Sequence, residues 1–141
     1  MKKILLIALP ILIFASCNKY EEGPMMSLRT KTMRLSNNWQ MSSAYQNGVD
    51  KTSEFNVVFA GYQLDIRKDN TYTLQFSPGS TGTITDNGTW EWNGDKTHVV
   101  FTNSDGESQD YTILRLKEKE LWMRFHDDNN DEWEVHLTPK N

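Results

Sequence analysis

The chain has 141 residues, with 15 Lys and Arg against 19 Asp and Glu, a formal charge of −4, and a single cysteine. That length suits one domain, and the acidic balance lacks the basic surplus a nucleic-acid binder uses to neutralise phosphates. A lone cysteine also cannot form a disulfide within its own chain.

Lys2 and Lys3 open the sequence, and Ile4 to Ala15 (ILLIALPILIFA) follow as an apolar run broken only by Pro10. As a helix rising about 1.5 Å per residue it would reach roughly 18 Å, short of a ~30 Å hydrocarbon core. The layout is that of a secretory signal with small residues at its end, whereas a buried core helix would alternate with polar positions. Phe14-Ala15-Ser16-Cys17 resembles the lipobox of bacterial lipoproteins. The resemblance implies cleavage before Cys17 and lipid on its sulfur, which accounts for an otherwise partnerless thiol in an exported chain. Two or more acyl chains hold a protein durably, at ~0.8 kcal/mol per buried CH₂, so the mature chain is expected to be membrane-anchored without spanning. Cleavage would leave thirteen basic and nineteen acidic residues, a formal charge of −6. Asn18-Lys19-Tyr20-Glu21-Glu22 resembles the acidic export tags of Bacteroidetes lipoproteins destined for the outer face of the outer membrane. A solvated acidic linker is the other reading of those residues. The expected address is the cell envelope, at the outer membrane.

Three segments are expected: a signal peptide over 1–16, the lipidated cysteine and a tether over 17–34, and a β-rich domain over 35–141. The tether contains Gly23-Pro24, scattered charge and a short turn of helix near its end. From Leu35 onward, runs rich in Tyr, Trp, Phe, Val, Ile and Thr alternate with turn signals at Asn47-Gly48, Asp69-Asn70, Asn87-Gly88, Asn93-Gly94, Asp105-Gly106 and Asp127 to Asp131. The spacing predicts strands near 35–44, 56–67, 71–77, 83–92, 97–103, 108–116, 120–126 and 132–138, an antiparallel meander without a long helix.

Alternation sharpens several of these elements. With 127–131 as the loop, Phe125 faces Trp133, Met123 faces Val135 and Leu121 faces Leu137 on one face. Arg124 then opposes Glu134, and Trp122 opposes His136, on the other. A turn at Gly94-Asp95 would set Trp90 against Val99, with Trp92 and Phe101 on that face and Glu91 opposite His98 outside. Tyr62, Leu64 and Ile66 share a face, as do Tyr72, Leu74 and Phe76. Tyr111 to Leu116 breaks alternation, which a bulge or burial on both faces would explain.

Leu35-Ser36-Asn37-Asn38-Trp39, Asp69-Asn70-Thr71-Tyr72 and Gly88-Thr89-Trp90, followed by closing hairpins, resemble the small lipocalin-like lipoproteins of Bacteroidetes. Trp39 matches the tryptophan of the lipocalin Gly-x-Trp motif, with Asn37 in place of the glycine. The resemblance implies an up-and-down barrel of about eight strands and no particular substrate. A barrel of that size either fills its interior or holds one small ligand. Tyr62, Tyr72, Phe76, Trp90, Trp92, Met123 and Trp133 are the residues on which that choice turns, as a packed core or as the lining of a pocket.

Little points to catalysis. His98, His126 and His136 are expected outward on strands and lack metal-ligand spacing, while the one thiolate is assigned to lipid. No Gly-rich loop precedes a helix, no Gly-x-Ser-x-Gly elbow occurs, and no carboxylate pair falls at the inward positions of the best strands. Asp127, Asn129 and Asp131 begin like a calcium loop, but Glu132 stands where glycine is needed and Thr138 where glutamate is, so they read as a turn. Neither a metal nor another cofactor is expected. The expected function is non-enzymatic binding of a small apolar or amphipathic ligand at the barrel mouth. The alternative is an interaction or inhibitor module of the cell envelope with a filled core, its partner surface centred on outward Trp122 and His136.

Overall fold

The computed structural model describes residues 21–22, 29–79 and 81–141. Cys17, the leader and most of the tether lie outside that range. Among the described residues, ten strands and two short helices follow in chain order: β1(Glu21–Glu22), α1(Lys31–Leu35), β2(Asn38–Gln46), β3(Val49–Asp50), α2(Thr52–Val58), β4(Gln63–Ile66), β5(Thr71–Phe76), β6(Ile84–Trp92), β7(His98–Asn103), β8(Ser108–Leu116), β9(Leu121–His126) and β10(Glu132–Pro139).

Strands β2, β4, β5, β6, β7, β8, β9 and β10 pair antiparallel in that order, and β10 pairs back onto β2. The eight-stranded meander is therefore a closed barrel, which leaves no long unpaired edge. β3 extends the β2 hairpin across Asn47-Gly48, whose φ values of 48° and 81° suit the tight turn that an Asn-Gly pair favours. β1 adds parallel to the end of β8, Glu21 against Arg115.

The hairpin β9–β10 has the expected register throughout: Phe125↔Trp133, Met123↔Val135, Leu121↔Leu137, Arg124↔Glu134 and Trp122↔His136. Its loop is organised by Asp127, whose Oδ1 accepts the Asn129 and Asp131 backbone N–H groups at 2.9 Å each, while Oδ2 accepts Trp133 Nε1–H at 3.0 Å. The bond from Trp133, then those from the loop backbone, hold the Asp127 carboxyl below the usual aspartate range. Asp131 accepts from the Gln46 and Asn47 side-chain amides, so Asp127 and Asp131 both serve as acceptors that organise the turn.

Three expectations are corrected. Residues 56–67 are not one strand: α2 occupies 52–58 and β4 only 63–66. Phe55, Phe59 and Tyr62 fall at helical spacing and turn toward the barrel, leaving Val57 and Val58 to solvent at 72% and 53% exposure. Between β6 and β7 the register is shifted by two residues, with Trp92↔Val99 and Trp90↔Phe101, and Glu91 opposite Val100 rather than His98. The loop is longer than two residues because Asn93 Oδ1 accepts both Thr97 N–H and His98 N–H. A shift of two preserves the faces, so Trp90, Trp92, Val99 and Phe101 still point inward. Asn87-Gly88, the third correction, is no turn but the middle of β6.

The expected irregularity in β8 is a bulge, since the pairing skips Leu114 and lets both Ile113 and Leu116 reach the core. Among the described residues the buried apolar core runs from Leu35 to Leu137, all of it within residues 18–141. Helix α1 belongs to the folded unit, four residues ahead of the expected start at Leu35: Thr30 caps it by accepting Met33 N–H, and its Leu35 is fully buried.

Candidate functional site

Strand direction divides the barrel interior into two ends. At the base, where α1 sits, Trp39 is fully buried and its Nε1–H donates to the Leu35 carbonyl at 2.9 Å. Trp90 Nε1–H donates to the Arg67 carbonyl at 2.8 Å, and Trp92 Nε1–H to Thr32 Oγ1 at 3.0 Å. The two indoles meet edge to face, centroids 6.0 Å apart. Every indole N–H at this end has a partner, as a sealed base requires. Trp90 and Trp92 therefore help to close this end of the barrel, away from the residues that line the cavity at the other.

The opposite end is open. It holds a cavity of about 440 Å³, within the ordinary range of small-molecule sites. Leu64 and Leu74 pair across β4 and β5, and Met123 supplies wall from β9. Tyr72, Phe101 and Tyr111 line it as successive edge-to-face rings, with centroids 5.0 and 5.4 Å apart. Tyr62 enters just before β4, and Asp86 points inward on β6 opposite Leu74. Asn103, Glu107, Ser108, Gln109 and Asp128 complete the lining toward the β7–β8 and β9–β10 loops.

The tyrosine hydroxyls differ in their partners. Tyr72 donates to Asp86 Oδ2 at 2.9 Å. Burial first, then that bond to the carboxylate, pushes the Tyr72 phenol well above its ordinary pKa. Burial also pushes Tyr62 far up, with Tyr111 and Tyr72 adding repulsion to its anion, and pushes Tyr111 up to about 12. All three phenols thus remain neutral at physiological pH. Among the described residues, neither the Tyr62 nor the Tyr111 hydroxyl has a hydrogen-bond partner.

Of the seven residues singled out as possible lining, Tyr62, Tyr72 and Met123 come together in this cavity. Phe76 and Trp133 lie instead beneath α2. Phe55 stacks on Phe59 at 4.5 Å and approaches Tyr62 and Trp133 at 6.0 and 5.9 Å, while Phe59 meets Phe76 at 5.0 Å. This aromatic cluster seats α2 across one side of the mouth. Thr52 helps to fix the helix, its Oγ1 accepting the Ala44 N–H at 3.0 Å.

A sequence profile of the lipocalin-like domain matches residues 35–123, well over half of the chain. The chain belongs to the lipocalin-like domain family. A lipocalin-like protein from Bacteroides uniformis ATCC 8492 superposes with a TM-score of 0.57 at 10% identity, over 76% of this chain and 99% of its own. An uncharacterized protein from Bacteroides eggerthii DSM 20697 gives 0.51 at 8% identity, over 72% and 97%. At such identities the likeness is one of fold. No curated protein matches the sequence.

On the outer wall of this lipocalin-like barrel, Trp122 stacks flat on His136 with centroids 3.9 Å apart, and the Arg115 guanidinium lies 4.1 Å above its ring. His136 Nε2 meets Glu134 Oε1 at 2.6 Å, and Tyr45 packs on the imidazole from the other side. Trp122 is half-buried in this stack rather than presented as a free anchor. His98 and His126 also sit on the outer wall, beside Asp110 and Glu132. Four large apolar side chains are exposed among the described residues, Val49, Val57, Val58 and Ile84, and all belong to the open end.

Sequence reasoning passed over Asp86, Phe55 and Phe59. Asp86 was open to simple alternation: counting back by twos from inward Trp90 reaches it, so one carboxylate does face the interior. Phe55 and Phe59 were masked by the β-branched Val57-Val58 run between them.

Proposed function

We propose that this lipocalin-like domain is the ligand-binding part of an outer-membrane lipoprotein, a non-enzymatic binder of one small amphipathic molecule at its open end. The observation that supports binding is the open cavity of about 440 Å³, part apolar wall and part unpartnered phenol, above a base packed with hydrogen-bonded indoles. The apolar lip of Val57, Val58 and Ile84 suits entry of a molecule with an oily body. A lipocalin-like fold, with indoles and histidines already engaged in structural pairs, favours binding over catalysis.

Anchoring rests on the Phe14-Ala15-Ser16-Cys17 sequence. Cells expressing Cys17→Ala should release the protein from the membrane fraction; retention of this variant at the membrane would contradict the lipid anchor. For binding, native mass spectrometry of residues 18–141 incubated with an extract of the producing cells should give a reproducible small-molecule adduct. A clean unliganded mass would count against the reading. The alternative, an interaction or inhibitor module of the envelope, draws on the apolar lip rather than on Trp122, which its neighbours already cover.

A further inference from the structure

We infer that the cavity selects a cationic head group, an amine or quaternary ammonium carried on an apolar body. The inference rests on the ligand-binding reading above and specifies its chemistry. Its foundation is the charge of the lining. Asp86, Glu107 and Asp128 line the cavity, and among its described lining residues there is no Lys, Arg or His. Asp86 is held in place on the inward face of β6, where Tyr72 donates to Oδ2 at 2.9 Å. Glu107 accepts only from the neutral Asn103 amide, at 3.1 Å. None of the three carboxylates forms an ion pair with a described residue. Asp86 is half-buried and Glu107 and Asp128 lie exposed at the rim, so an anionic head would meet like charge on entry and inside, while a cation would meet its complement.

The neutral groups point the same way. Tyr62 and Tyr111, both half-buried, present phenols without described protein partners to the cavity, and each phenolic oxygen can accept an N–H from an ammonium. Tyr72, Phe101 and Tyr111 offer π-surface in the same space, which attracts cations through the ring quadrupole. Leu64, Leu74 and Met123 accommodate the body of the ligand. A neutral amphiphile would use this apolar wall but leave the carboxylates unmatched.

The test uses three probes that share a phenylbutyl body and differ in the head: 4-phenylbutylamine, 4-phenylbutanol and 4-phenylbutyrate. They are titrated calorimetrically into residues 18–141 at neutral pH. The amine should bind about tenfold more tightly than the alcohol, the carboxylate most weakly, and added salt should shrink the gap. In Asp86→Asn, whose amide oxygen can still accept from Tyr72, the ratio of amine to alcohol affinity should fall severalfold. Glu107→Gln, a loop change, should reduce the preference less and guards against a folding defect in the first variant. Equal affinity for amine and alcohol in the native protein, or an undiminished preference in both variants, would overturn the cationic assignment while leaving ligand binding intact. If none of the three probes binds, the cationic assignment falls, and ligand binding is then judged by the extract adduct alone.

Discussion

Trp39→Ala should lower the unfolding free energy by about 3–5 kcal/mol, the usual loss for removing a large aromatic side chain from a core. Trp39 is fully buried, pairs with Leu64 and Pro139 on flanking strands, and ties β2 to α1 through its bond to the Leu35 carbonyl. Its removal opens a void in the base and strands a buried acceptor, against a total stability that for small domains is about 5–15 kcal/mol. Urea denaturation followed by circular dichroism measures the effect. Trp39→Phe, which keeps most of the volume and removes the donor, should cost distinctly less. A Trp39→Ala midpoint close to that of the native protein would mean that the base is not sealed as described.

Gly88→Ala should be nearly as damaging, although it adds a single methyl group. A Cβ on Gly88 would lie 2.0 Å from the Thr102 carbonyl oxygen and 2.8 Å from Tyr72 Cε1. The first neighbour is backbone of the paired strand β7 and cannot move without breaking the ladder. The second is the ring that lines the cavity and holds Asp86. Overpacking generally costs about 1–3 kcal/mol and sometimes more, and a clash with backbone belongs at the upper end. Gly94→Ala is the matched control, because nothing lies within 4 Å of its added Cβ and its φ is not left-handed. Thermal unfolding should separate the two variants clearly; equal melting temperatures would refute the close approach of β6 to β7 and Tyr72.

These two positions also mark how far the sequence can be read. Alternation identified a shared face on β4, β5, β6, β7, β9 and β10, and where the turn chemistry was unambiguous, as at Asp127 to Asp131, it identified register too. At Asn93 to Thr97 a side-chain cap lengthened the loop by more than alternation could register, since a slip of two leaves every face unchanged. Gly88 shows the ambiguity of an Asn-Gly pair, which serves a turn or a close strand approach equally well. The strand expected over 56–67 gives way to α2 and a shorter β4 because Val57, Val58 and Phe59 carry strand propensity, while Phe55, Phe59 and Tyr62 carry the helical period that packing rewards.

The site was legible only in part, for a geometric reason. Parity tells whether a side chain faces the interior, and it placed Trp90 and Trp92 beside Tyr62, Tyr72 and Met123 on that count. It does not tell which end of the barrel a residue occupies. That depends on strand direction and stagger around the closed ring, which set the indoles in the base and the tyrosines at the mouth. The aromatic cluster beneath α2 needed the helix to be recognised first. Asp86 needed no such information, and its inward position gives the open end a fixed charge.

The most direct measurement is native mass spectrometry of residues 18–141 and of Leu74→Trp, each incubated with the same cell extract. Leu74 lines the cavity, and a tryptophan there would fill space otherwise open to a ligand. A small-molecule adduct on the native chain that is absent from a folded Leu74→Trp is the expected result. No adduct on either protein, or an identical adduct on both, would contradict binding at the open end.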